Sequence, residues 1–96
     1  MGAAVQAVLA EVRVTHRATD IRVDWRRIIA DLRAKHGSHA AVAQRVGMQR
    51  TTLVMLAANR GEPRYSEGRS MLALWAEATG GDEASPPMIR VRDMWE

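Results

Sequence analysis

His39-Ala40-Ala41-Val42-Ala43-Gln44-Arg45-Val46-Gly47-Met48-Gln49-Arg50-Thr51-Thr52-Leu53-Val54-Met55-Leu56-Ala57-Ala58 is two short amphipathic segments joined at Gly47. Two short helices that cross steeply need a tight turn, and glycine enters positive φ there without a steric penalty. Ser38 is a good N-cap for the first of them, which is expected to run through Ala40 to Val46. The second is expected to begin at Gln49 or Arg50 and to continue to about Asn59, with Gly61, Glu62 and Pro63 ending it. Ala43 falls where the pair comes closest and a small side chain is needed. Val42, Val46, Leu53 and Leu56 fasten the pair to the rest of the domain, and Met48 dips toward the core.

Upstream, Trp25, Ile28, Ile29 and Leu32 fall at i, i+3, i+4 and i+7, one apolar stripe of a helix over 24–36. Asp24 can cap its start and Gly37 can close its end. Downstream, Ser66 is the expected cap of a helix over 67–79, in which Met71, Leu72, Trp75 and Ala78 recur at helical spacing before Gly80-Gly81. The ends are less regular. Residues 3–14 are helical by composition, yet Val12-Arg13-Val14 and Ile21-Arg22-Val23 alternate like short strands. Ser85-Pro86-Pro87 reads as a stiff extended linker, and Met88-Ile89-Arg90-Val91-Arg92 alternates as an edge strand would. The expected fold class is therefore mainly α: a compact four- to five-helix domain with a helix-turn-helix, and a short β arm at a terminus. The expected organisation is an N-terminal extension over 1–23, the helical domain over 24–80 and a C-terminal tail over 81–96.

The 96 residues suit one domain, and 47% hydrophobic with 26% charged residues is the balance of an ordinary globular protein. Charged residues interrupt every apolar run, which argues against a membrane span. No positive residue precedes the apolar stretch at the N-terminus, a poor secretory signal, so retention in the cytoplasm is expected. With no cysteine, disulfides, thiolate metal sites and cysteine nucleophiles are unavailable. His16, His36 and His39 show no metal-protease spacing, and there is no phosphate-binding loop or dinucleotide glycine pattern. Catalysis, a metal and a cofactor are accordingly not expected.

The net charge of +3 hides an uneven distribution. Residues 24–80 hold Arg26, Arg27, Arg33, Lys35, Arg45, Arg50, Arg60, Arg64 and Arg69 against only Asp24, Asp31, Glu62, Glu67 and Glu77. The tail is net acidic, with Asp82, Glu83, Asp93 and Glu96 against Arg90 and Arg92. The basic excess suits a polyanion, although Lys35 is the only lysine and a GC-rich coding sequence would raise the arginine count as well.

In Val42-Ala43-Gln44-Arg45-Val46-Gly47 and Thr51-Thr52-Leu53 the chain resembles the helix-turn-helix of lambdoid phage repressors and Cro proteins. The resemblance extends over about residues 25–79. It takes in the preceding helix with Trp25 and Leu32, the Asn59-Arg60-Gly61 exit and a further helix with Leu72 and Trp75. It implies a regulator that binds a pseudo-palindromic operator in double-stranded DNA as a homodimer. It also implies that base-reading positions fall at Gln49, Arg50 and Thr51, with Val54, Met55 and Ala58 further along, and that Thr52 lies at the phosphate backbone.

Chemistry supports the first three. Gln pairs bidentately with adenine, Arg with guanine O6 and N7, and a Thr methyl packs on a thymine methyl. Val54 and Met55 admit two readings: a more deeply buried helix, or contact with thymine methyls or a second chain. Ser38 and His39 open a helix whose N–H groups and dipole favour a phosphate, while a solvated, inactive imidazole is the plain alternative for His39. Arg60, Arg64 and Tyr65 follow and could clamp the backbone, or serve only solubility. For the dimer, an edge strand at Ile89 and Val91, or an apolar stripe at Val5, Val8, Leu9 and Val12, would supply the contact; alternatively both ends complete the monomer's own core. The rival class is a helix-turn-helix antitoxin or interaction module, whose tail with Trp95 holds a partner protein.

Overall fold

The computed structural model describes residues 21–94. The order of elements is β1 (Ile21–Val23), α1 (Trp25–His36), α2 (His39–Val46), α3 (Arg50–Ala57), α4 (Tyr65–Thr79), β2 (Met88–Arg90) and a 3-10 turn at Val91–Asp93. The chain divides into a helical unit, Asp24–Pro87, and a second unit of Met1–Val23 with Met88–Glu96. The fold is thus mainly α with a short β arm, as expected. No helix of the described residues is long and apolar enough to cross a membrane.

In the helical unit α1 packs against α2, α3 and α4, and α2 also meets α3 and α4. Ile28, Ile29 and Leu32 from α1, Val42 and Ala43 from α2, Leu53 and Leu56 from α3, and Met71 and Trp75 from α4 are the buried hydrophobic residues of this unit. Helices of eight residues, the length of both α2 and α3, are marginal alone in water, whereas burying one Leu, Ile or Val side chain contributes ~1.5–3 kcal/mol. Core contacts therefore hold the pair, and propensity does not. Val46 and Met48, expected inside, are half-buried, as are Trp25, Leu72 and Ala78. Trp25 and Pro63 lie over Gly68 of α4, their nearest ring atoms 3.4 and 3.5 Å from where its Cβ would stand.

The predicted caps set both ends of α1 and of α2. The Asp24 carboxylate accepts from the Arg27 N–H at 3.2 Å and the Ser38 hydroxyl from the Ala41 N–H at 3.1 Å. Gly37 closes α1, its N–H donating to the Arg33 carbonyl. At the helix-turn-helix corner Gly47 sits at φ 85°, and the N–H groups of Gly47 and Met48 both donate to the Ala43 carbonyl. The turn spans only residues 47–49.

Two boundaries differ from expectation. α3 ends at Ala57, not near Asn59, because Asn59 takes the left-handed conformation at φ 60°. Its N–H donates to Leu56 and that of Arg60 to Met55, so two carbonyls of the last turn are satisfied by a Schellman closure ahead of Gly61. α4 starts at Tyr65, ahead of the expected cap at Ser66. Glu67 reaches back to accept from the Arg64 N–H at 3.0 Å, which fixes the start two residues earlier than Ser66 would.

Residues 81–87 belong with the helices and are not a free linker. A Cβ at Gly81 would stand 2.5 Å from Cη2 of Trp75, so only glycine lets the chain pass that ring. Asp82 then organises a turn, accepting from Ala84 through its carboxylate and from Ser85 through its carbonyl. The Pro87 carbonyl finally accepts from the Asp24 N–H at 2.8 Å. Trp75 is held from a second direction, its indole N–H donating to Asp31 at 3.0 Å.

In the second unit β2 pairs antiparallel with β1 of the same chain, in the register Ile21 to Arg90, Arg22 to Ile89 and Val23 to Met88. The strand expected over 88–92 stops at Arg90, where Val91–Asp93 turns into a 3-10 helix. One side of this strand is thereby used within the chain, not by a symmetry mate. The stripe at Val5, Val8, Leu9 and Val12, the strand at Val12-Arg13-Val14, and Trp95 lie outside the described residues.

Candidate nucleic-acid interface

α3 has two faces. Leu53 and Leu56 point inward and are buried, with Ala57 half-buried beside them. At 100° per residue, Arg50, Thr51, Val54, Met55 and Ala58 fall on the opposite half of the helix, and all five are exposed. Val54 is 36% exposed and Met55 52%, which removes the reading in which this helix is buried more deeply. Gln49, the extended residue before the helix, is exposed next to them. The positions named from sequence as base readers thus form one continuous outward face. Thr52 is half-buried at its margin.

The start of α2 is built differently. One acceptor site of the Ser38 hydroxyl is used by the Ala41 N–H, which leaves its O–H proton for another partner. The N–H groups of His39 and Ala40 open the helix with no acceptor a turn earlier, and His39 itself is half-buried. Past α3, the Schellman closure sends Arg60 out to solvent. Arg64 is exposed before α4, its backbone N–H held by Glu67. Tyr65 is 80% exposed, and Arg69 one turn on donates to its hydroxyl at 3.3 Å with the guanidinium 5.9 Å from the ring centroid. Sequence reasoning counted Arg69 only as a charge; the Tyr-to-Arg spacing of four residues was the available signal for its pairing.

A further signal in the sequence concerns sign. Between Asp31 and Glu62 there is no carboxylate, while Arg33, Lys35, Arg45, Arg50 and Arg60 all lie in that interval. All five of these side chains are exposed. α2, the turn and α3 therefore carry positive side-chain charge only, and an approaching anion meets no repulsion from them. Asp31, the acid at one end of the interval, is turned to Trp75 and to Arg27, whose Nε is 3.7 Å away.

Chemically, the outer face of α3 offers a guanidinium able to fork onto two acceptors, an amide and a hydroxyl, with two apolar side chains among them. Cations flank it on both sides along the chain. Compared with known proteins, the chain matches no family model, no curated protein and no solved structure.

Proposed function

We propose that this protein is a sequence-specific double-stranded DNA-binding regulator of transcription, of the repressor type, acting as a dimer on a pseudo-palindromic site. The observation that carries the reading is the exposed outer face of α3, set on a helix-turn-helix corner with no carboxylate between Asp31 and Glu62. An α-helix fits the major groove, where base edges present a distinguishing donor and acceptor pattern. Gln49, Arg50 and Thr51 stand at the N-terminal end of the helix, the part that reaches base edges in helix-turn-helix docking. Ser38, His39, Thr52, Arg60, Arg64 and Tyr65 are the candidates for the phosphate backbone, where contacts fix register without reading sequence. One such helix covers only a few base pairs, so two copies a helical turn apart give the selectivity a single copy lacks.

Selection from a randomised duplex library, followed by gel shift at several salt concentrations, tests this. A preferred two-half-site sequence is expected, bound at least ~10³-fold more tightly than random duplex, with affinity falling steeply as salt rises. Binding with no sequence preference would reject the reading.

A further inference from the structure

We infer that the outer face of α3 reads the C5-methyl group of a pyrimidine, so that the site takes thymine or 5-methylcytosine at that position and discriminates against unmethylated cytosine and uracil. The inference rests on the DNA-binding reading and adds to it a response to the methylation state of the DNA.

Val54 and Met55 are the exposed large apolar residues of the helical hairpin, and they lie one turn beyond Arg50 and Thr51 respectively. Each gains free energy by packing on an apolar group of a ligand, which a purely polar surface does not offer. A protein partner would need a far larger patch, since stable interfaces bury ~1,200 Å² or more in total. Here the surrounding exposed residues are Gln49, Arg50, Thr51 and Ala58. A second copy docked through α3 would also bring Arg50 and Arg60 toward their own counterparts with no carboxylate between Asp31 and Glu62 to offset them.

The major groove meets these constraints. Its floor is polar except for the methyl carried at C5 of thymine, and 5-methylcytosine places a methyl at the same ring position. Its walls are anionic, matching the cations around α3. From Arg50 to Val54 the helix advances about 6 Å, close to the rise of two base pairs at about 3.4 Å each. A guanine held by Arg50 and a methylated pyrimidine about two base pairs away are therefore within reach of one helix.

The experiment uses the full chain and the duplex enriched from the randomised library, resynthesised with deoxyuridine for thymine at single positions and with cytosine or 5-methylcytosine there. Loss of one packed methyl should weaken binding about fourfold, and 5-methylcytosine should bind more tightly than cytosine by a similar factor. Met55→Gln with Val54→Ser, both at exposed positions, should bind thymine and uracil duplexes alike, whereas Met55→Leu should keep the difference. Equal affinity of the unaltered protein for thymine and uracil duplexes at every position would overturn the inference while leaving the regulator reading intact. So would an unchanged ratio in the double variant, or a double variant that sediments at half the mass of the unaltered protein. Failure of the library to yield any preferred duplex would overturn both.

Discussion

Replacing Asp31 by alanine should destabilise the helical unit by ~1–2 kcal/mol, most of it through Trp75. The Trp75 side chain is only 8% exposed, and its indole N–H has Asp31 as acceptor at 3.0 Å across 44 residues of sequence. A hydrogen bond to a charged group contributes ~1.5–3 kcal/mol, and removing the acceptor leaves the donor without one. This bond is only partly buried, so water recovers a share and the lower half of that range applies. The Arg27 to Asp31 pair adds little: at 3.7 Å, with side chains 66% and 31% exposed, it contributes ~0.3–0.5 kcal/mol. Alanine returns up to ~0.7 kcal/mol through helix propensity. Guanidinium unfolding followed by far-ultraviolet circular dichroism measures the difference as a shift in midpoint at constant slope. Asp31→Asn keeps an oxygen acceptor and should lose less than half as much. A double-mutant cycle with Trp75→Phe should return a coupling of ~0.5–1 kcal/mol or more. A loss below ~0.5 kcal/mol for Asp31→Ala, or a coupling near zero, would refute the role of this contact.

Three further outcomes are expected. Ala43→Leu should overpack the junction of α2 and α3, where Ala43 is 2% exposed, and cost ~1–3 kcal/mol in thermal or denaturant unfolding; a neutral result would disprove close approach there. Gly68→Ala should stabilise by ~0.5–1 kcal/mol in the same assay, since glycine is unfavourable inside a helix and the new methyl meets Trp25 and Pro63 at ordinary contact distances of 3.4 and 3.5 Å. For DNA, Arg50→Ala should cost ~1–3 kcal/mol on the preferred duplex and relax one base pair, whereas Arg64→Ala should weaken all duplexes alike and flatten the salt slope; equal, sequence-blind losses in titrations of both variants would remove Arg50 from its role.

The helices were legible where a local residue decides the matter. Asp24, Ser38, Gly37 and Gly47 act within one turn of their own position, so α1 and α2 came out with the expected limits. The end of α3 and the start of α4 were less so, because two signals competed at each. Asn59 and Gly61 both take a left-handed backbone, and the earlier of the two ends the helix. Ser66 is the better cap by residue type, yet Glu67 bonding to the Arg64 N–H made the earlier start available. The run from Leu53 to Ala58 is apolar at every position, so periodicity could not divide inside from outside; packing against α1 did, leaving Val54 and Met55 outward. Long-range pairings were the least visible. Nothing near Ile21 announces Arg90 as its partner, and nothing near Gly81 announces the Trp75 ring. Of the candidate interface, the residues of α3 and the flanking arginines are legible from residue type and position, and so is the lack of any carboxylate between Asp31 and Glu62, although only the fold shows that the cations of that interval are all exposed.

The division of α3 into an anchored side and an outward side also bears on how such a chain can change over time. Leu53 and Leu56 secure the helix, and none of Arg50, Thr51, Val54, Met55 or Ala58 is buried. Surface substitutions away from packing features usually stay within about 0.5 kcal/mol, so these five positions are nearly free of obligations to the core. A lineage can exchange them singly or together without passing through an unfolded intermediate, and on the proposed function recognition would drift while the scaffold stays constant. The same separation makes them the natural set to randomise when a new target is wanted, with Leu53, Leu56, Ala43 and Gly47 held fixed.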